Sequence, residues 1–239
     1  MTSVVAMPSV TPVPGKPNLL LGAYDIADLG YTAAEFFVSG TATSYARDGA
    51  SDDFTTRIVA LTPIDAAKFN GTVLVEWLNV SGGIDASAVW FMAHREIVRE
   101  GYAYVVVSAQ QVGVQGGSTI TGIDMSLKKQ DPERYSILSH PGDAYSFDIF
   151  SQIGQLVRES AAEVLGEFKP ESVVAVGESQ SAVFLTTYIN SVDSHAKVYD
   201  GFLVHSRFGV AAPLDEVSAL EALQAGAPDP APFRPDLRV

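Results

Sequence analysis

Residues 172–185 read SVVAVGESQSAVFL, and this stretch decides the fold. Four apolar residues lead into a turn of small residues, and a segment with helix-forming character follows. A serine placed between a buried strand and a helix is typical of a nucleophile elbow, in which a strained turn presents the hydroxyl. Because strand and helix pass closely, small residues are needed two positions before and after the serine, here Gly177 and Ser181. The stretch therefore predicts Ser179 as a nucleophile, and the alternative is a plain tight turn.

Outside this stretch, the chain alternates predicted strands with predicted helices. Apolar and β-branched runs predict six strands, at residues 34–40, 55–63, 71–80, 103–109, 172–176 and 199–206. Helical spacing predicts a helix capped by Asp85 and ended by Gly101, a long helix opened by Pro141, and a third from about Ser181 to Val192. This alternation predicts an α/β fold with a mostly parallel sheet flanked by helices.

The length and composition predict one domain over residues 1–239, since 239 residues that are 47% hydrophobic suffice for a sizeable core. Within it we expect a proline-rich leader over 1–18 and a loop at the end over 226–239. The segment 110–140 is expected to form a lid or pocket wall, because long loops in compact domains are usually functional or disordered.

Charge and composition exclude several classes of function. The formal net charge is −13, so nucleic acids and anionic membrane surfaces are not expected partners. The absence of cysteine excludes disulfides and a thiol nucleophile, and neither histidine spacing nor glycine-rich motifs indicate a metal or a cofactor. The N-terminus lacks signal-peptide features and no apolar run has the length of a membrane span, so we expect a cytoplasmic protein, with export left open.

Donors for an oxyanion are predicted from two places. The backbone N–H of Gln180 opens the helix after the serine, where helix N-terminal amides bind negative charge. The second donor is expected from the loop after the third core strand, LNVSGG at 78–83, with Val80 or Ser81 supplying the N–H. The glycine pair in this loop also fits a plain turn, and the position of the loop favours the donor interpretation.

The general base is harder to assign. His205 ends the strand after the serine, at the correct sheet edge, but chain order in this type of site favours a pocket residue over a base. An improvised relay of His205 with Glu178 or Asp200 is a weaker hypothesis. His94 is expected at the surface or in packing, and His195 at the wrong edge. The candidate pocket residues are Asn79, Glu178, His140, His205 and Arg207.

Four blocks together resemble a bacterial family of poorly characterised α/β-hydrolase-domain proteins. They are NGTVLVEWLNVSGG (70–83), SHPGDAYSFDIFSQ (139–152), VGESQSA (176–182) and YDGFLVHSR (199–207), and the likeness runs from about residue 20 to the end. The resemblance implies an α/β-hydrolase fold, Ser179 as the nucleophile toward an ester or related acyl substrate, and LNVSGG as the oxyanion loop.

Members of that family continue beyond the segment that matches RPDLRV, into a strand with an acidic residue and a later histidine-bearing loop. Neither has a counterpart here, so the acid and histidine of a triad are assigned to no residue. We therefore expect a fold that lacks its last strands and self-associates through an open sheet edge. The predicted function is a serine esterase acting on a small-molecule ester; the alternative is a catalytically incomplete domain that binds a ligand or a partner chain.

Overall fold

The computed structural model describes residues 5–46, 49–117, 119, 121–207 and 209–215. They form a seven-stranded sheet with the strand order β1-β2-β3-β5-β4-β6-β7. The strands are β1 (Ser9–Val13), β2 (Tyr31–Thr43), β3 (Ser51–Pro63), β4 (Thr72–Trp77), β5 (Ala103–Val107), β6 (Ser172–Glu178) and β7 (Gly201–His205).

Helices connect the strands. The α-helices are α1 (Ala88–Glu100), α2 (Gln111–Gln115), α3 (Leu127–Gln130), α4 (Ser146–Glu159), α5 (Ala162–Leu165), α6 (Gln180–Thr187) and α7 (Asp193–Ala196). A π-helix over Tyr188–Val192 joins α6 to α7, and short 3₁₀ helices lie at Ile26–Leu29, Ala66–Lys68 and Asp143–Tyr145. In the described residues, no helix combines the length and apolar character needed to cross a membrane.

The sheet is parallel through its second half. Strands β5, β4, β6 and β7 pair in parallel, whereas β1, β2, β3 and β5 pair antiparallel in turn. Five strands therefore run in one direction, with only β1 and β3 opposed, which agrees with the predicted mostly parallel sheet. Strand order reverses at β4, which lies between β5 and β6. Such a reversal opens a crevice at the carboxyl edge of a sheet, and it places the end of β6 beside the loop that follows β4.

Apolar side chains cover both faces of the sheet. Along β5, Val105 and Val107 face one core, while Tyr104 and Val106 face the other, as the two-residue period of a strand requires. The larger core is centred on Trp77, whose ring centroid lies 4.8 Å from Phe150, 5.5 Å from Phe184 and 5.7 Å from Phe147. Phe147 is thus a core residue, and Tyr135 lies in a third buried cluster.

The predicted strands are present, but six was one too few. Part of the leader over 1–18 forms β1, which pairs with β2 from Ser9↔Ser39 to Val13↔Glu35. The prolines of this segment argued against a strand, since proline cannot donate a hydrogen bond to a sheet ladder. An edge strand tolerates proline, and β1 carries Pro12 at the outer edge of the sheet.

The first helix starts differently from the prediction. Its N-cap is Ser87, and its end at Gly101, with φ 75°, is as predicted. Asp85 is not the cap, because its carboxylate pairs with the buried Arg57, Nη2 to Oδ2 at 2.8 Å. The buried Glu76 instead accepts from the Val89 N–H of the first turn. The predicted loop over 226–239 lies outside the described residues.

Candidate functional site

The turn at Ser179 has an unusual backbone. Ser179 lies between the last residue of β6 and the first of α6, with φ 55° and ψ −112°. Only two other non-glycine residues in the described ranges have a positive φ, Lys197 and Ser206. A side chain in such a conformation costs about 1–3 kcal/mol and persists only where the surroundings impose it, commonly at functional sites. Ser179 is half-buried.

Close packing and two hydrogen bonds impose this turn. A Cβ atom added to Gly177 would lie 3.2 Å from the carbonyl carbon and oxygen of Ser181, so strand and helix pass as closely as the sequence pattern requires. The Ser181 hydroxyl is buried and closes the turn: it donates to the Glu178 carbonyl at 2.8 Å and accepts from the Glu178 N–H at 2.9 Å. The small residues on either side thus have distinct roles, space at one and bonding at the other.

Asn79 joins the 78–83 loop to this turn. Its Nδ2 donates to the Glu178 carbonyl at 3.0 Å and lies 3.4 Å from the Glu178 carboxylate. Its Oδ1 accepts from the N–H of Ser81 at 3.0 Å and from the Ser81 hydroxyl at 2.7 Å. Asn79 is almost fully buried. It therefore acts as a connector between loop and strand, and the structure brings together the predicted residues Asn79, Ser81 and Glu178.

Both predicted loop donors are paired within the chain. The Val80 N–H donates to Gln180 Oε1 at 3.1 Å, and the Ser81 N–H donates to Asn79 Oδ1. The N–H of Gln180 opens α6, where the first amides of a helix have no partner inside the helix. Gln180 therefore approaches the loop with its side chain while its backbone N–H has no intrahelical acceptor. The oxyanion roles of these residues stay predictions.

His205 lies beside the turn through its backbone. Its carbonyl accepts from the Ser179 N–H at 3.0 Å, and it is the register partner of Glu178. Its ring is exposed, with Nδ1 3.0 Å from the Ser206 hydroxyl. Arg207 is exposed two residues further on. Both are at the correct sheet edge, as predicted, and the bond that reaches Ser179 comes from the His205 main chain.

Asp200 is excluded from a relay with His205. It precedes β7, whereas His205 ends that strand, and five residues of extended chain span about 16 Å. Asp200 accepts from the Val173 N–H at 2.8 Å and pairs with Arg158 at 2.7 Å. This part of the relay hypothesis is wrong, because the two residues lie at opposite ends of β7.

His140 is buried, and its ring bonds to the main chain. Its Nε2 donates to the Ala109 carbonyl at 2.9 Å, and its Nδ1 accepts from the Gly142 N–H at 3.2 Å. Burial lowers the pKa of His140, against the opposing charge of Asp143. Both ring nitrogens of His140 are therefore in use, and its role as a pocket residue stays a prediction.

Part of the predicted lid rests on the 78–83 loop. The Thr121 hydroxyl donates to the Gly82 carbonyl at 3.2 Å, and the Met125 N–H donates to the Gly83 carbonyl at 2.7 Å. Gly83 has φ 78°, and an added Cβ would lie 1.9 Å from the Ile123 carbonyl oxygen, so only glycine allows this contact. The side chains of Ile123 and Met125 are 50% and 42% exposed. The contacts suit a pocket wall, and this role stays a prediction.

Two buried polar residues that connect to the Gln180 side chain, Gln110 and Asp143, were not predicted from the sequence. Gln110 Oε1 accepts from Gln180 Nε2 at 2.7 Å and from Trp77 Nε1 at 3.1 Å. Gln110 Nε2 donates to Asp143 Oδ2 at 3.0 Å. Gln110 could have been found from its position just beyond the carboxyl end of β5. The local sequence around Asp143 carries no sign of its burial.

Glu76 is a second missed carboxylate. It ends β4 together with Trp77 and is fully buried. Burial raises the pKa of Glu76 to about 7, and the charge of Glu178 adds to this rise. Hydrogen bonds from Ser87, the Val89 N–H and Tyr104 oppose it. Over the residues described, no three His, Asp or Glu side chains are grouped to hold a metal ion.

Residues 5–239 match the model of a protein family described as alpha/beta hydrolase domain. The chain belongs to this family. Its fold is the α/β-hydrolase fold, with the mixed seven-stranded sheet described above. The predicted family resemblance and fold class are both confirmed. The match begins at residue 5 and therefore includes β1, upstream of the blocks that carry the resemblance.

Solved structures similar to this hydrolase-domain chain include several esterases and a putative dienelactone hydrolase from Klebsiella pneumoniae. The esterase Est22 is 12% identical with a TM-score of 0.42, covering 80% of this chain and 49% of its own. Brefeldin A esterase, a bacterial homologue of human hormone-sensitive lipase, is 12% identical with a TM-score of 0.42, covering 75% and 41%. A fungal esterase from Rhizomucor miehei is 13% identical with a TM-score of 0.38, covering 70% and 42%. The chain spans about half of these three esterases or less, and no curated protein sequence matches it.

Proposed function

We propose that this protein is a serine hydrolase that cleaves carboxylic esters through an acyl-enzyme on Ser179. One observation carries the proposal: in a chain of the α/β-hydrolase-domain family, Ser179 is held at φ 55° between a parallel strand and a helix, beside the 78–83 loop. That backbone is costly for serine. A conformation of this cost at the carboxyl edge of the sheet suits a nucleophile.

In the proposed reaction, the Ser179 oxygen attacks the ester carbonyl carbon while its proton passes to a base. The tetrahedral intermediate then expels the alcohol, which takes the proton, and water releases the acid in a second, similar step. The Gln180 N–H is one oxyanion donor, and Val80 or Ser81 supplies the other. The present acceptors of the Val80 and Ser81 N–H groups are neutral amide oxygens, and a charged oxyanion binds an N–H roughly twice as strongly. The oxyanion would therefore compete for either donor.

The expected setting of this activity follows from the sequence. A net charge of −13 disfavours nucleic acids and anionic membranes as partners, which leaves a small-molecule ester and no cofactor. A cytoplasmic location belongs to the same proposal. Self-association through the sheet edge does too: within the described residues, β7 pairs only with β6, and Leu203 on β7 is 47% exposed.

One observation favours the alternative, a catalytically incomplete domain that binds a ligand or a partner chain. Among the residues that the structure describes, no histidine ring hydrogen-bonds the Ser179 hydroxyl. His140 is committed to main-chain partners, and the His205 ring contacts Ser206. We therefore assign neither the base nor the acid of a triad to any residue.

Fluorophosphonate labelling separates the two functions. The purified chain is treated with the probe, the adduct is located by mass spectrometry, and hydrolysis of short p-nitrophenyl esters is measured alongside. Labelling of Ser179, with loss of both label and turnover in Ser179→Ala, supports the hydrolase. A chain that is folded by circular dichroism and takes no label at Ser179 refutes it and favours the binding domain.

A further inference from the structure

A chain of buried side chains runs from Asp143 to the 78–83 loop. Asp143 Oδ2 accepts from Gln110 Nε2 at 3.0 Å, Gln110 Oε1 accepts from Gln180 Nε2 at 2.7 Å, and Gln180 Oε1 accepts from the Val80 N–H at 3.1 Å. Exposure is 7% for Asp143, 0% for Gln110 and 1% for Gln180. Each link joins residues at least 33 positions apart. These hydrogen bonds therefore connect the 3₁₀ helix before α4 to the segments that follow β5, β6 and β4.

The carboxylate fixes the direction of every link. Asp143 accepts at both carboxylate oxygens, with Oδ1 bonded to the Gln111 N–H at 2.8 Å and Oδ2 to Gln110 Nε2 at 3.0 Å. The NH₂ of Gln110 must therefore face Asp143, and its oxygen must face the other way. The Trp77 indole N–H, 3.1 Å from that oxygen, enforces the same orientation, because indole is a donor only. Gln180 then has to present its NH₂ to Gln110 and its oxygen to Val80.

The reverse orientation is unfavourable. If Gln180 were flipped, its NH₂ would face the Val80 N–H, and its oxygen would face the oxygen of Gln110. Two donors and two acceptors would then be opposed in a buried site, where each unmade hydrogen bond costs about 1–3 kcal/mol. The position of the Val80 N–H is therefore specified by a carboxylate three hydrogen bonds away.

We propose that Asp143 and Gln110 are positioning residues for the site at Ser179: they set the orientation of the Gln180 amide, and that amide holds the 78–83 loop against the start of α6. The inference rests on the proposed function for its catalytic meaning. Gln180 serves twice, with its backbone N–H at the oxyanion and its side chain on the Val80 N–H, so the second oxyanion donor in this inference is the Ser81 N–H. Displacement of that loop by about 1 Å would reduce the rate on the order of a hundredfold.

The structural half of the proposal is tested without any substrate. Hydrogen exchange at the Val80 amide is measured by NMR in the wild-type chain and in the Asp143→Asn variant. Asp148→Asn is the matched control, because Asp148 also accepts from a main-chain N–H, that of Thr43 at 2.9 Å, and from a glutamine NH₂, that of Gln152 at 3.0 Å. We expect exchange at Val80 to rise at least tenfold in Asp143→Asn and to be unchanged in the control. An unchanged rate in Asp143→Asn overturns the relay.

The catalytic half is tested by the rate at which Ser179 takes a fluorophosphonate. The variant Gln180→Glu keeps the backbone N–H but opposes a carboxylate to Gln110 Oε1. Protonation restores a donor there, so we expect labelling roughly tenfold to a hundredfold below wild type at pH 8 and close to it at pH 5.5. A ratio that is independent of pH overturns the positioning role, since a simple loss of packing would not respond to acid.

The outcomes separate this inference from the proposed function. If wild type takes no label at Ser179, the hydrolase and the positioning role both fail, and the Val80 exchange data still decide whether the relay exists. If wild type is labelled and Asp143→Asn changes neither labelling nor exchange, the hydrolase stands and the inference fails. Should Asp143→Asn not fold, Gln110→Met takes its place, with the same expected rise in exchange at Val80.

Discussion

Replacement of Glu76 by glutamine should remove a pH dependence of stability. Burial raises the pKa of Glu76 from 4.5 to about 7 in the folded protein. Between these two values the unfolded chain has released its proton while the folded chain keeps it, so stability falls as pH rises. Each unit of pKa shift corresponds to about 1.4 kcal/mol, so the loss is on the order of 3 kcal/mol and is complete above pH 7.

Glutamine is a close mimic of the protonated acid. Its oxygen can accept from the Val89 N–H, as Glu76 Oε1 does at 2.7 Å, and its NH₂ can donate to the hydroxyl of Ser87 or Tyr104. The variant therefore keeps the contacts and loses the titration. We therefore compare the free energy of unfolding of the variant with that of wild type at each pH. This difference should shift by about 3 kcal/mol in favour of the variant between pH 4.5 and pH 8.

Urea unfolding followed by the fluorescence of Trp77 and Trp90, both fully buried, measures this difference at each pH. The other carboxylates are common to both proteins and cancel, apart from Glu178, whose charge acts on Glu76. The exposed Glu167→Gln is the control, and its difference from wild type should stay flat over the same range. A difference for Glu76→Gln that changes by less than about 0.5 kcal/mol between pH 4.5 and 8 would refute the reasoning, and a change of opposite sign would show that the hydrogen bonds outweigh burial.

Three further substitutions have clear expectations. Gly101 and Gly30 share φ 75°, but an added Cβ meets a backbone oxygen at 1.8 Å at Gly101 and nothing within 4 Å at Gly30. In urea unfolding, Gly101→Ala should therefore lose at least about 2 kcal/mol more stability than Gly30→Ala. Equal losses in the two variants would contradict the steric argument. Ser179→Gly should be about 1 kcal/mol more stable than Ser179→Ala, as glycine tolerates φ 55°, and inactive like it, by calorimetry and ester assay. Arg57→Met should cost about 3–5 kcal/mol because Asp85 stays buried without its cation, with partial recovery in the double variant carrying Asp85→Asn as the check.

Local sequence predicted the strands and the turn at Ser179 because their determinants are local. Alternating or continuous apolar runs specify strands through contacts with the sheet faces, and Gly177 and Ser181 lie within two residues of the serine whose turn they allow. The ends of β2 and β3 were underestimated, since pairing over Tyr31↔Pro63 to Thr43↔Ser51 extends both strands beyond their apolar centres. Pairing partners, rather than composition, decide where a strand ends.

The hydrogen-bond and ion-pair partners of individual side chains were not predictable in the same way. Asp85 has the right residue type and position to cap α1, but Arg57, 28 residues earlier, takes its carboxylate. His140 precedes a helix near the sheet edge, and the Ala109 carbonyl decides that its ring is buried. In each case two acceptable partners compete, and only the packed structure determines which one lies within bonding distance.

The sequence by itself determined the α/β architecture, the family and the position of Ser179 between a strand and a helix. Only the tertiary structure decided that the Val80 N–H is held by Gln180, and that Asp143 orients this amide from 37 positions before it in the chain. The physical reason is the range of the interactions. Backbone conformation and burial periodicity are set by neighbouring residues, whereas the direction of a buried hydrogen bond depends on every donor and acceptor that the fold brings to the same place.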